Sequence, residues 1–274
     1  MDVGIVAKRE NPRAAYLAEE LRGTLEREGA TVRIDEATAA ALDDEGVPPE
    51  AMRGTDLVVS IGGDGTFLFT ARAVGDTPIL GVNLGEVGFL NAVAPDEALS
   101  AVRAAFDHHE ETGEVRSRAV SRLQAVGPGW SLPPALNEIT ICGPQRGTGG
   151  GLSVEVRVDG SLYTGGHADG VLLATPTGST AYNLSEGGPL VHPDLDGVLI
   201  TEMCARESMP PLMIPAGREI TVRVDDAEAA YAIADGRRRR RVEPPERIRI
   251  SCADEPVCMA GPEVDFFEAL SKLD

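Results

Sequence analysis

Five consecutive residues, Gly62-Gly63-Asp64-Gly65-Thr66, combine a pliant backbone with one carboxylate. Glycines let backbone N–H groups approach an anion closely, and a helix that starts there adds positive potential. A carboxylate in that setting is ill suited to holding phosphate. It suits orienting an attacking hydroxyl or taking its proton. No Gly-x-x-x-x-Gly-Lys-Ser/Thr follows, so the loop is not a P-loop. A second stretch runs from Asp169 to Tyr182 and reads as a strand, a Pro176-Thr177-Gly178 turn and a helix start. Ser179 or Thr180 can cap that helix, Gly187-Gly188 ends it, and Tyr182 offers a ring for a base to lie against. A third feature, Asn137-Glu138, interrupts the strand-like run from Ala135 to Ile141, and such breaks often mark function. Each has a plain structural counterpart: a tight strand-to-helix turn, a capped helix, a strand edge.

The elements around these residues fall into two textures. Val3 to Val6 is a short apolar strand, and Asn11-Pro12 offers an N-cap with Pro at the first helical position. Leu17, Leu21 and Leu25 follow at helical spacing and Gly29 closes the helix. Thr31 to Ile34 is a second strand, and the acidic stretch from Asp35 to Pro49 reads as a surface excursion. Asp56 to Ile61 is a continuous apolar strand leading into the glycine loop. Phe67 to Val74 has helical pattern, Pro78 to Asn83 is another buried strand, and Pro95 to His108 a helix. Strand and helix alternating in this way predict a parallel sheet covered on both faces. From Val115 onward short strands dominate: 119–126, 137–142, 153–158, 171–174, 198–203, 219–224 and 247–252. That is an all-β second domain holding one short helix. Phe266 to Leu270 forms a last amphipathic helix able to pack back on the first domain.

Composition narrows the partners. The 274 residues carry a net charge of −19, which argues against nucleic acid or an anionic membrane surface as a partner. Lysine occurs only at Lys8 and Lys272, with arginine supplying the other cations. Abundant carboxylates with almost no lysine suit hydration in concentrated salt, so a halophilic protein is expected, with an ordinary acidic protein from a high-GC genome as the alternative. No apolar run approaches a membrane span and the start lacks a signal peptide, so a cytoplasmic location is expected. Cys142, Cys204, Cys252 and Cys258 have no zinc spacing and read as reduced thiols; His108-His109 beside Glu110-Glu111 reads as a hydrophilic helix end. Arg237 to Arg241 is the one basic run. It is either a solvated strand or a patch that gathers nucleotide phosphates or an acidic neighbouring subunit.

The Gly62–Thr66 loop resembles the signature loop of a kinase superfamily that joins NAD kinases, diacylglycerol and sphingosine kinases, and phosphofructokinases. Thr175-Pro176-Thr177-Gly178-Ser179-Thr180-Ala181-Tyr182, with Asn183-Leu184-Ser185 and Gly187-Gly188-Pro189 after it, is similar to the NAD-binding signature of NAD kinases. The other members lack that run. Asn137-Glu138, the segment over residues 81–90 and the tail from Asp265 to Leu273 also resemble that family, specifically its archaeal, halophilic ATP-NAD kinases.

The resemblance implies an N-terminal open parallel α/β domain, Rossmann-like and phosphofructokinase-like, over 1–114. It implies a C-terminal all-β, sandwich-like NAD-binding domain over 115–261, with 262–274 returning to the first. The implied reaction is phosphoryl transfer from ATP, or inorganic polyphosphate, to the adenosine 2′-hydroxyl of NAD lying between the domains. A divalent metal, Mg2+, would bind with ATP, and the protein itself would supply no dedicated metal ligands. Asp64 would face the hydroxyl with Gly65 beside it. Asn137 and Glu138 would hold the adenosine half and Asp169 the nicotinamide half. His167 stands where the family often has a basic residue, and Thr180, Ala181, Tyr182, Asn183, Leu184 and Ser185 would line the dinucleotide site. A homo-oligomer, dimer or tetramer, is also implied. The chain departs from the pattern over 202–211 and at Arg237, which touches oligomer contacts and the nicotinamide end. A small-alcohol or lipid kinase of the same superfamily, or a non-catalytic NAD-binding paralogue, are the alternatives.

Overall fold

Asn11 and Pro12 start a helix, as their types predict. In the structure, a computed structural model describing residues 1–85, 88–145, 147 and 150–271, the Asn11 side chain accepts from Ala14 N at 3.1 Å. Of the expected segments, Glu86 and Val87 of 81–90 and Lys272 and Leu273 of the tail lie outside the described residues. The chain divides into two units, Met1–Val120 with the residues from Glu255 onward, and Ser121–Asp254.

The first unit contains β1 (Asp2–Ala7), α1 (Pro12–Arg27), β2 (Thr31–Ile34), α2 (Glu36–Ala40), β3 (Leu57–Gly62), α3 (Asp64–Val74), β4 (Ile79–Asn83), α4 (Ala98–Thr112) and β5 (Ser117–Val120). The second contains β6 (Leu123–Gly127), β7 (Trp130–Ser131), β8 (Glu138–Cys142), β9 (Leu152–Val158), β10 (Ser161–Ala168), β11 (Gly170–Ala174), α5 (Tyr182–Ser185) and β12 (Gly197–Met203). It continues with β13 (Leu212–Pro215), β14 (Ile220–Asp226), β15 (Ala230–Ala234), β16 (Arg238–Val242) and β17 (Glu246–Cys252). The chain then returns to the first unit with β18 (Val257–Ala260) and α6 (Phe266–Leu270).

The first unit is built on a sheet of order β2-β1-β3-β4-β18-β5, parallel except for its last strand. Every residue of β3 is buried, the mark of a central strand covered on both faces. Ala14, Ala18, Leu21 and Leu25 of α1 join Ile5, Val59 and Leu80 in one core. The Phe266 ring of α6 lies 6.3 Å from that of Phe89 in the same unit.

The second unit is a sandwich of two antiparallel sheets, β10-β9-β14-β17-β6-β7 and β13-β12-β11-β8-β15-β16. Alternate residues of each face inward, so Val154, Val156, Val222 and Ile248 meet Ile139, Ile141, Val171 and Leu173 in a single core.

Two expectations need correction. The strand expected over 119–126 is two strands in different units. Val120 and Leu123 are both buried yet three residues apart, which no unbroken strand with one buried face allows. The first unit runs past residue 114 to Val120 and resumes at Glu255, and β18 pairs with β4 and β5 within it. The stretch after Asp35 is also more than a surface excursion. Asp35 caps α2 through Ala37 N at 3.1 Å, accepts from Ala7 N at 3.2 Å, and is only 3% exposed.

Candidate active site

Strand β3 ends at Gly62 and α3 begins at Asp64, so the glycine loop is a one-residue turn at the carboxyl end of a central parallel strand. Ligands of open α/β sheets gather at that end. Packing requires Gly62, because a Cβ there would come within 2.3 Å of Thr66 Oγ1. Gly63 is different: a Cβ would meet nothing within 4 Å, and its φ of −110° suits any residue. The protein's own packing therefore does not account for Gly63. The open space there would admit a ligand close to the backbone.

Asp64 is half-buried and anchored by neutral donors. Its Oδ2 accepts from Phe89 N at 3.0 Å, and its Oδ1 from Leu90 N at 3.2 Å and Asn91 Nδ2 at 3.1 Å. Gly88 lies against it, a Cβ there falling 3.1 Å from Oδ1. These contacts fix the carboxylate's rotamer and leave acceptor capacity on Oδ2, which is what orienting a hydroxyl requires. Asn91, 4% exposed and absent from the sequence-based site, is the residue that reasoning missed here. Gly65 is exposed beside Asp64.

In the second unit two chain segments, one carrying Thr175 and Gly178 and one carrying Asp235, converge on Asn137 and Glu138. Thr175 N donates to Asn137 O at 2.9 Å, and Thr175 Oγ1 donates to Leu136 O at 2.6 Å while accepting from Gly178 N at 3.0 Å. Gly178 is pressed against this backbone, so a Cβ there would sit 2.0 Å from Asn137 O. From the other side Asp235 receives the amides of residues 136–138. Asn137 keeps a half-buried side chain. Glu138 is 5% exposed with Oε2 lacking any partner. Burial, then the nearby Asp235 carboxylate, pushes its carboxyl up to about 8 from 4.5, so it is protonated at neutral pH.

After Thr175 the chain makes a 3-10 turn over Thr177–Thr180 and the short helix α5. The expected cap is not formed. Ser179 Oγ instead donates to Val191 O at 3.0 Å and accepts from Val191 N at 3.1 Å, while Thr180 Oγ1 donates to Thr177 O at 3.3 Å. The turn itself places the helix, so no side-chain cap is needed. Asn183 is fully buried, its amide donating to Ser179 O and Pro189 O and its oxygen accepting from Thr201 Oγ1 at 2.8 Å. That side chain is committed to holding the turn. Thr180, Ala181, Tyr182, Leu184 and Ser185 keep partial or full exposure, and Tyr182 packs against the apolar cluster of Leu172, Ala174, Val191, Leu199 and Met203.

His167 and Asp169 lie at the opposite end of β11 from Thr175. At about 3.3 Å per residue, the six steps from Asp169 to Thr175 separate the two groups by roughly 20 Å. Asp169 is 8% exposed and accepts from Gly147 N at 2.9 Å; His167 is exposed on β10. The divergent segment over 202–211 is tied to this end. Glu202 accepts from Thr164 Oγ1 at 2.9 Å and Met209 N at 2.8 Å, and Arg206 N donates to His167 O at 3.2 Å. Arg238 to Arg241 form most of the edge strand β16, with Arg239 stacked 3.3 Å over the Tyr231 ring. All four are exposed, and charged edge strands resist pairing with other chains.

Comparison with known proteins agrees with this arrangement across both units. Residues 3–110 match the family model described as ATP-NAD kinase N-terminal domain, and residues 136–260 match that of the ATP-NAD kinase C-terminal domain. The NAD kinase of Haloarcula marismortui is 56% identical over 282 residues, covering 100% of both chains. That of Halobacterium salinarum is likewise 56% identical over 282 residues and covers 100% of both. Both sources are halophilic, as the acidic composition anticipates. A crystal structure of an NAD kinase from Archaeoglobus fulgidus in complex with ATP shares the fold, with a TM-score of 0.81 at 24% identity and 100% coverage of each chain. Matches that run end to end through both units, at more than half identity, place the chain in the NAD kinase family.

Proposed function

We propose that Asp64 receives the proton of the adenosine 2′-hydroxyl of NAD as that oxygen attacks the γ-phosphorus of ATP. The new P–O bond forms at the ribose, the bond to the β-phosphate oxygen breaks, and the products are NADP and ADP. The observation that carries the reading is the Asp64 carboxylate, held by the Phe89 and Leu90 amides and by Asn91 beside a glycine that packing does not require. Orientation of this kind supplies much of the acceleration in phosphoryl transfer, where the protein does little covalent chemistry.

Asn137 and Glu138 bind the adenosine half in this reading, and Tyr182 with Thr180, Ala181, Leu184 and Ser185 lines the dinucleotide site. Asp169 and His167 serve the nicotinamide half, and Gly65 lies beside the reacting oxygen. The roughly 20 Å along the strand between Asp169 and Thr175 supports that division. Among the described residues no group of three or more His, Cys, Asp or Glu could hold a metal ion. Asp64 accepts two of its three hydrogen bonds on Oδ1, which leaves Oδ2 the less committed oxygen. That donor set fits a divalent cation such as Mg2+ that arrives on the phosphates of ATP, where it would neutralise developing charge. Polyphosphate remains the alternative donor. Self-association and a cytoplasmic location belong to the same reading; no helix among the described residues is long and apolar enough to cross a membrane.

The test is purified protein with NAD, MgCl2 and ATP in concentrated KCl, scored with an NADP-specific dehydrogenase. NADP should accumulate in proportion to enzyme. NAD binding without NADP would instead indicate a non-catalytic dinucleotide protein, and neither would return the chain to the small-alcohol kinases.

A further inference from the structure

Strand β8 runs between β11 and β15, and its first residue, Glu138, lies opposite Ala174 on one side. On the other, the pairing of Ala234 with Ile139 brings the next residue, Asp235, level with Glu138. No single neighbouring strand can receive three successive amides, because alternate N–H groups face opposite sides, and residues 136 and 137 precede the paired part of β8. Asp235 does what the ladder cannot. Its carboxylate accepts from Leu136 N at 3.2 Å, Asn137 N at 2.8 Å and Glu138 N at 3.4 Å, while Asp235 N donates to Glu138 O at 3.0 Å. The residue is 8% exposed and holds a φ of 45°, a left-handed conformation that Asp tolerates better than most. The sequence gives no warning of this, since Asp235 lies 98 residues from Asn137.

We propose that Asp235 is a positioning residue for the nucleotide: it clamps the backbone of residues 136–138 so that the Asn137 and Glu138 side chains are aimed before the ligand arrives. This rests on the reading of Asn137 and Glu138 as nucleotide-binding. Two features separate such a role from simple support of the fold. The clamp falls on the two residues whose side chains have work outside the fold, Asn137 half-buried and Glu138 with an oxygen that no protein group satisfies. The clamping carboxylate is also the ionisable group whose charge acts on Glu138, the residue facing it from β11 being Ala174. Asp235 therefore fixes the geometry of the pair, and its charge adds to the burial that keeps one member protonated.

The experiment measures the KM for NAD and kcat of the full chain across pH for Asp235→Asn, Asp235→Glu and Asn137→Ala. Asp235→Asn should raise the KM about tenfold with kcat within about threefold, since a mis-aimed binding pair weakens ground and transition states alike. Removing the negative charge should also move the alkaline change in KM about one pH unit lower, because Glu138 then ionises more readily. Asp235→Glu keeps the charge but displaces the carboxylate, so its KM should rise with the pH profile unmoved. A folded Asp235→Asn with unchanged KM, or one that loses only active fraction with an unmoved pH profile, overturns the proposal. If that variant does not fold, an unchanged KM in Asp235→Glu overturns the positioning claim. Failure of the underlying reading looks different: Asn137→Ala would itself leave the KM for NAD unchanged.

Discussion

Replacing Glu138 by Gln should stabilise the protein, and increasingly so as pH rises. The wild-type carboxyl is 5% exposed, its Oε2 has no partner, and it holds its proton to about 8 instead of the ordinary 4.5. In the unfolded chain the same group ionises near 4.5. Between those values the folded protein binds the extra proton, so stability falls as pH rises through this window and levels off above about 8. At about 1.4 kcal/mol per pH unit the full span gives a ceiling of roughly 5 kcal/mol, and relaxation around the site should bring the observed value to about 2–4 kcal/mol. Gln has the shape of the protonated carboxyl and does not titrate. Urea unfolding of both proteins, at constant high KCl between about pH 5 and about pH 8.5, isolates the difference because all other groups cancel. The gain should be near zero at the acid end and reach about 2–4 kcal/mol at the alkaline end. A difference that stays constant across the range would show that Glu138 titrates normally in the fold and refute the reasoning. A buried carboxyl with an unpartnered oxygen calls for an explanation, and the proposed nucleotide contact supplies one.

Further outcomes follow from the loop. Gly63→Ala should leave stability within about 0.5 kcal/mol, since nothing lies within 4 Å of the added methyl, yet raise the KM for ATP by tenfold or more; steady-state kinetics with urea unfolding checks both. Gly62→Ala should cost about 1–3 kcal/mol, because its methyl overlaps Thr66, and lower activity with it. Asn91→Leu removes a hydrogen bond to the Asp64 carboxylate worth about 1.5–3 kcal/mol, so kcat should fall tenfold or more with the KM for NAD within about threefold.

How far the sequence foretells this structure depends on the distance over which each feature is decided. The glycine loop was legible because its meaning is local: a buried strand, two glycines, an acid and a helix within a dozen residues. The sandwich was legible from alternation. What could not be read were partners brought in by topology. Asn91 reaches Asp64 across 27 residues, and Asp235 reaches Asn137 across 98. Asp235-Gly236 could be recognised as a turn, but nothing local says which amides its carboxylate receives. Ser179 shows the converse failure. A serine before a helix is a fair cap by type, yet its hydroxyl serves Val191, twelve residues on. The boundary at Ser121 was missed because Val120 and Leu123 both look like strand residues, and only their odd spacing betrays the break.

The central claim is that Asp64 acts on the reacting hydroxyl rather than on binding. Its most direct test is a pair of measurements on Asp64→Asn: kcat for NADP formation, and the Kd for NAD by isothermal calorimetry. Loss of an oriented general base predicts a kcat at least about a thousandfold lower with the Kd within about threefold. Turnover near the wild-type rate, in a variant that still binds NAD, would contradict the account.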